Sequence, residues 1–257
     1  MSRTGGVVTS PPMAISRRDL LRSMAAVVAV PATASVAGAA PAPRSSARGI
    51  VQDRAKAYGV VVKPRSTWAT EAAPPAGLAS ERAVNVLLVH HSDSPNSYPA
   101  DAVPATLRGF WRFHTGPDKG WPDIAYNFFV DRFGGVWEGR SGSLLAPVVG
   151  SATGGNQGHS QLICLIGNHS VEAPSGAAVL SLTRLLAALG DRYDLLADPV
   201  ATSAFVSRGS NRWPVGATVT SRSIEGHRSM SMTSCPGDAA FALLPEIRLG
   251  VQALRRP

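Results

Sequence analysis

The sequence predicts a single α/β domain built on a mixed central β-sheet flanked by helices, and three observations predict it. Residues 83–89 form an apolar run of strand length, as expected of a central strand buried on both faces. Helix-period stripes alternate with such runs: Leu107, Phe110, Trp111 and His114 on one, Leu182, Leu185, Leu186 and Leu189 on another. A hairpin signal at Phe133-Gly134-Gly135 requires at least one antiparallel pair, which excludes a purely parallel doubly wound sheet.

Taken in order, the chain opens with an address. Twin arginines, Arg17-Arg18, precede an apolar stretch from Met24 to Val30 and a cleavage pattern at Ala37-Gly38-Ala39. Residues 1–39 are therefore expected to be a twin-arginine signal peptide of an exported bacterial protein, leaving no membrane segment after cleavage. Pro31 and Gly38 and the absence of Leu make 23–43 a poor membrane helix. Residues 40–57, opening with Pro41, Pro43, Ser45 and Ser46, are expected as a flexible linker, and 58–257 as the functional domain. After the strand at 83–89, Pro104 suits the start of a helix. Residues 124–131 and 136–138 read as the two strands of the hairpin, and 161–166 as another buried strand. Ser175 can cap the second striped helix. Residues 194–222, rich in Ser, Thr, Gly and Pro, read as an inserted loop. Asp238 can cap a last helix through Ala240, Leu243, Leu244 and Ile247. No repeat of 20–50 residues is visible.

Composition narrows the function. An apolar fraction of 44% in 257 residues supplies a core, which excludes wholesale disorder. The net charge is +8, of which four arginines and one aspartate in residues 1–39 contribute +3, leaving +5. That balance suits an anionic polymer. The cations form no stripe interleaved with aromatics, so nucleic acid is not the expected partner. Two cysteines, Cys164 and Cys235, exclude a disulfide-dense scaffold.

Metal chemistry is the sharper candidate. Zinc takes His nitrogen and Cys thiolate as ligands, and a catalytic site keeps one position for water. His90 and His91 stand at a strand end; side-chain alternation lets only one of them face a given side. His227 and Cys235 lie in a Gly/Pro-bounded segment that can fold back on one ion. Read singly, His227 is equally a loop histidine bonded to backbone. Cys235 alone is equally an inert buried thiol, and Tyr126 a core aromatic.

Four motifs in order carry a resemblance. They are Val89-His90-His91-Ser92, residues 120–128 from Gly120-Trp121-Pro122 to Tyr126-Asn127-Phe128, Gly134-Gly135-Val136-Trp137-Glu138-Gly139-Arg140, and Gly226-His227-Arg228 continuing to Thr233-Ser234-Cys235-Pro236-Gly237-Asp238. Over about residues 60–250, with Pro64-Arg65-Ser66-Thr67-Trp68 as entry, the chain resembles the zinc-dependent N-acetylmuramoyl-L-alanine amidases of the peptidoglycan recognition protein type. Phage amidase lysozymes belong to the same group. The resemblance implies that fold, and Zn2+ held by His90, His227 and Cys235 with water as fourth ligand and His91 pointing away. It implies Tyr126 and Thr233 as catalytic helpers at the developing oxyanion. The implied substrate is the amide joining N-acetylmuramic acid to L-Ala in peptidoglycan, met at the muropeptide stem by a secreted monomer in the cell wall. A non-catalytic peptidoglycan-binding module and a zinc hydrolase of another amide are the rival expectations. Three departures fall on the substrate groove rather than the metal. Gly150-Ser151-Ala152 lacks the family's His, Ser160-Gln161-Leu162 replaces Ser-Ile-Gly, and Ser229 replaces an acidic residue. The four motifs leave the group that moves the proton open: Glu138 is the nearest motif carboxylate, and an exposed strand-end salt bridge with Arg140 accounts for it equally well. His114 and Cys164 are expected in the core, His159 and His169 in loops.

Overall fold

The computed structural model describes residues 51–70, 75–154 and 159–256. The expected signal peptide and residues 40–50 lie outside the described residues. In chain order the elements are α1 (Val51–Ala57), β1 (Val62–Lys63), β2 (Val86–His91), α2 (Val103–Thr115), β3 (Phe128–Val130), β4 (Val136–Glu138) and β5 (Ser160–Leu165). They continue with α3 (Gly176–Arg192), β6 (Thr202–Val206), β7 (Thr218–Arg222), β8 (Ile224–Gly226), α4 (Asp238–Ala242) and α5 (Leu244–Arg255).

Six strands form one sheet in the order β1-β4-β3-β5-β2-β8. All neighbours run parallel except β3 and β4, the antiparallel pair that the hairpin signal required. The tight turn between them has a local cause. Asp131 Oδ1 accepts from the N–H groups of Phe133 and Gly135, and Gly134 takes a φ of +85° that a side chain would strain. The inner strands β2 and β5 are buried along their whole length, which is why residues 86–89 and 162–165 are apolar without alternation.

Register decides which side chains share a face. Val86, Leu88 and His90 lie on the face that carries Leu162 and Cys164 of β5 and Phe129 of β3. Helix α2 covers part of that face through Val103 and Leu107, packed with Trp68, Phe129, Trp137 and Cys164. Each fully buried side chain of that size contributes about 1.5–3 kcal/mol by leaving water. The other face is covered by α3, which contacts β2, β3 and β4, and α3 in turn packs against α1 and α5. Ser175 caps α3 as expected, its hydroxyl accepting from the N–H of Ala178 at 3.1 Å.

Five expectations are corrected. Residues 51–57 are not linker: Val51 and Ala55 are buried, and the segment is helical and packed on α3. Of the strand expected at 124–131, only residues 128–130 join the ladder. Asn127 replaces a ladder contact with its side chain, whose Oδ1 accepts from Leu162 N–H at 2.8 Å. Residues 194–222 are not simply a loop, for β6 and β7 form an antiparallel hairpin with Phe205 opposite Val219, both buried. Its Thr and Val residues carry the β-propensity that the Ser/Gly/Pro composition masked. The last helix is two, because Pro245 cannot continue α4 and instead starts α5. Asp238 is no cap; its carboxylate pairs with Arg228 at 2.7 Å.

Candidate metal centre

Parallel pairing of β2 with β8 sets Val89 beside Gly226, so the next residues, His90 and His227, emerge side by side at the carboxyl ends of adjacent strands. Their rings lie 4.4 Å apart between centroids. The chain then makes a short 3-10 turn, His227–Ser229, and returns, with the N–H of Arg228 donating to the carbonyl of Cys235 at 3.0 Å. This return brings Cys235 Sγ to 3.6 Å from His90 Nδ1. One donor atom from each of His90, His227 and Cys235 lies within 4.8 Å of the others. Tetrahedral zinc with bonds of 2.0–2.3 Å needs donors about 3.3–3.8 Å apart, so small side-chain adjustments complete the set.

Burial holds these donors neutral. It is the first cause of the fall of His90 well below the usual imidazole range, with His227 and His91 adding to it. His227 drops to about 4 for the same reason, with His91 adding to it. Burial also pushes the Cys235 thiol up to about 12, against the pull of the His91 backbone N–H and Arg228. Neutral imidazoles are the ligating form, and a dipositive ion stabilises the thiolate that burial disfavours. The residues fit zinc on a further count. The Nε2 atoms of His90 and His227 are buried without a hydrogen-bond partner. Such atoms cost about 1–3 kcal/mol each, which ligation by the two rings helps to offset.

His91 faces the opposite side, as alternation demands. Its Nδ1 accepts from the N–H of His169 at 3.1 Å, while its own N–H donates to Cys235 Sγ at 3.4 Å. Tyr126 packs its ring 5.1 Å from that of His90 and edge-on to Phe129 and His114. Burial raises its pKa well above the ordinary phenol value, so it stays a protonated donor. Thr233 is exposed on the returning segment, and its hydroxyl accepts from the N–H of Cys235 at 3.2 Å.

The remaining candidates separate from the centre. His114 is a satisfied core histidine whose Nδ1 accepts from Ala125 N–H at 3.2 Å. Cys164 is fully buried in the apolar cluster under α2. Glu138 does not pair with Arg140 at an exposed end. It is buried, and its carboxylate accepts the N–H groups of Arg65 and Leu144 at 3.0 and 3.2 Å. Arg140 instead donates to Ile124 O and Ser151 Oγ. Sequence reasoning missed Glu225, which accepts from Ser229 Oγ at 3.0 Å and pairs with Arg248 at 3.0 Å. An acid two residues before His227 was the available signal.

Comparisons with known proteins bear on the family and the fold. Residues 80–238 match the family model described as N-acetylmuramoyl-L-alanine amidase. The N-acetylmuramoyl-L-alanine amidase of Sus scrofa is 30% identical over 187 residues, covering 71% of this chain and 26% of the relative. The chain thus spans about a quarter of that relative's length. The crystal structure of Drosophila peptidoglycan recognition protein SD is similar with a TM-score of 0.54 and 24% identity, covering 72% of this chain and 93% of that one. Peptidoglycan recognition protein LE, in complex with tracheal cytotoxin (monomeric diaminopimelic acid-type peptidoglycan), is similar with a TM-score of 0.52 and 24% identity, covering 72% and 92%. At such identities the likeness shows the fold, a mixed sheet between helices.

Proposed function

From the premise that this chain belongs to the N-acetylmuramoyl-L-alanine amidase family, we propose that it is a secreted zinc hydrolase cutting the amide between N-acetylmuramic acid and L-Ala of peptidoglycan. One observation carries the reading: His90 at the end of β2, His227 in the turn after β8 and Cys235 on the returning segment converge beside Tyr126 and Thr233. A zinc ion bound by this set supplies Lewis-acid polarisation of a carbonyl and a water acidified to a pKa of about 7.

The chain's own residues supply orientation and hydrogen bonds. Water adds to the lactyl carbonyl carbon, the C–N bond breaks, and the products are a lactyl carboxylate and the free amine of L-Ala. Tyr126, held protonated by burial, donates its O–H toward the oxygen on which charge develops. Thr233 presents its hydroxyl from the exposed side while its oxygen is aligned by Cys235 N–H. The Glu138 carboxylate is spent on structure, accepting the N–H groups of Arg65 and Leu144.

The reading extends to location. Arg17-Arg18 and the small-residue cleavage pattern support export through a twin-arginine route to the cell wall, where the protein acts as a monomer on the muropeptide stem. Among the described residues no helix is long and apolar enough to cross a membrane. Dye release from labelled sacculi tests the function. Release that stops with a chelator and returns with zinc is expected. Protein that sediments with sacculi and releases no dye would make it a recognition module instead.

A further inference from the structure

The hairpin of β6 and β7 has no part in the chemistry above, yet its tip is tied to the segment that carries two of the three donors. Trp213 Nε1–H donates to Ser229 O at 2.9 Å, Ser210 Oγ–H to Met230 O at 2.8 Å, and Met232 N–H to Asn211 Oδ1 at 2.8 Å. Those three backbone groups lie between His227 and Cys235, one at the end of the 3-10 turn and two in the irregular stretch that follows it. Ser231 is held from the other side, donating to Thr153 O at 2.6 Å in buried surroundings.

The tip is itself firmly built. Ser210 Oγ also accepts from the N–H groups of Arg212 and Trp213, closing a local turn. Trp213 packs on the cluster of Val86, Leu88, Leu162, Phe205, Val219 and Met230. Leu88 stands two residues before His90 on the same face of β2. One apolar cluster therefore references both the strand bearing His90 and the loop bearing His227 and Cys235.

We infer that the 210–213 tip is a clamp that positions His227 and Cys235 for the metal, with Ser210, Asn211 and Trp213 as positioning residues. This rests on the zinc reading above. Two donors eight positions apart on an irregular segment retain many relative placements, and three hydrogen bonds to its backbone remove most of them before the ion arrives. Lowering that ordering cost raises affinity without any new ligand. Outer groups that fix ligand geometry are typically worth about 10–100-fold in metal affinity.

The test uses the full chain, with zinc affinity measured by chelator competition and cobalt(II) substitution reporting the thiolate charge-transfer band. Ser210→Ala combined with Trp213→Phe is expected to weaken zinc about 10–100-fold and to diminish or shift that band. Ser210→Thr, which keeps the hydroxyl, is expected to stay near the parent. Asn211→Ala, an exposed change that leaves the core alone, is expected to weaken zinc in the same direction if the double variant fails to fold. Equal falls in melting temperature with and without zinc, at unchanged zinc affinity and band, would mean the tip is merely structural and overturn the clamp. A parent chain that takes up no zinc would remove the zinc reading and the clamp together. A zinc-loaded parent with unaltered variants removes the clamp alone.

Discussion

Cys235 and Cys164 are the same residue in two surroundings, and the difference is measurable. The Cys235 sulfur stands 3.6 Å from an imidazole nitrogen, whereas Cys164 sits among Phe129, Leu107 and Ile124. Cys235→Ser should lose zinc and turnover together, since a neutral hydroxyl is a far poorer ligand than thiolate. Cys164→Ser should keep zinc and cost about 1–3 kcal/mol by placing a hydroxyl in apolar surroundings. Metal analysis beside thermal melting on both variants checks the pair; full activity in a metal-free Cys235→Ser protein would end the mechanism. Tyr126 tests chemistry apart from ligation. Tyr126→Phe keeps the ring against His90 and deletes only the O–H. Zinc content and melting temperature should hold while turnover on sacculi falls about 10²–10³-fold. A phenol with a purely packing role would give the reverse, a stability loss of about 1 kcal/mol with turnover intact.

At the scale of the element, β2 makes its last two residues unequal. His90→Ala should abolish zinc binding, because the ring belongs to the donor set. His91→Ala should retain the metal and lose about 1–3 kcal/mol, since His169 N–H then loses its buried acceptor. Zinc titration of both variants decides it, and the opposite pattern would shift the strand register by one. This asymmetry was legible in the sequence, as were β2, β4, β5, the α3 cap and the 133–135 turn. Each rests on a local signal: an apolar run, a Ser before a stripe, paired glycines. The placing of His90 beside His227 came from the family resemblance and from no local signal, for it depends on β2 pairing in parallel with a three-residue strand far along the chain. The β6–β7 hairpin was missed because Ser203, Thr220 and Ser221 read as loop residues, although buried Val219 and Ser221 alternate with exposed Thr218, Thr220 and Arg222 as in a strand. Glu138 was misjudged because a carboxylate at a strand end reads as exposed, and only the approach of Arg65 and Leu144 buries it.

For the whole molecule, buried neutral histidine ties stability to pH. His114 is lowered to about 4, by burial first and then by Lys119 and Arg140, against about 6.5 when unfolded. Between those values the unfolded chain binds more protons, so stability falls as pH drops from about 6.5 to about 4. The contribution is at most about 3 kcal/mol. His114→Asn, which offers an oxygen to Ala125 N–H and does not titrate, should flatten that part of the profile by about one proton. Denaturant melts of parent and variant at pH 7, 5.5 and 4 measure it, and identical slopes would refute the assignment.

The pairing of β8 with β2 has a consequence for how the molecule opens. The sulfur and imidazole that meet at the centre are separated by 145 positions in the chain. An ion held between them is thus a cross-link closing a long loop, fastening the outermost strand of the sheet through its ends rather than its side. Closing a loop of that length costs several kcal/mol of chain entropy, which a chelator returns to the open form. Amides of Ile224–Gly226 should therefore exchange with deuterium much faster once zinc is stripped, while those of the β3–β4 hairpin change little. Uniform acceleration across both would show that the metal steadies the protein globally instead of fastening one edge.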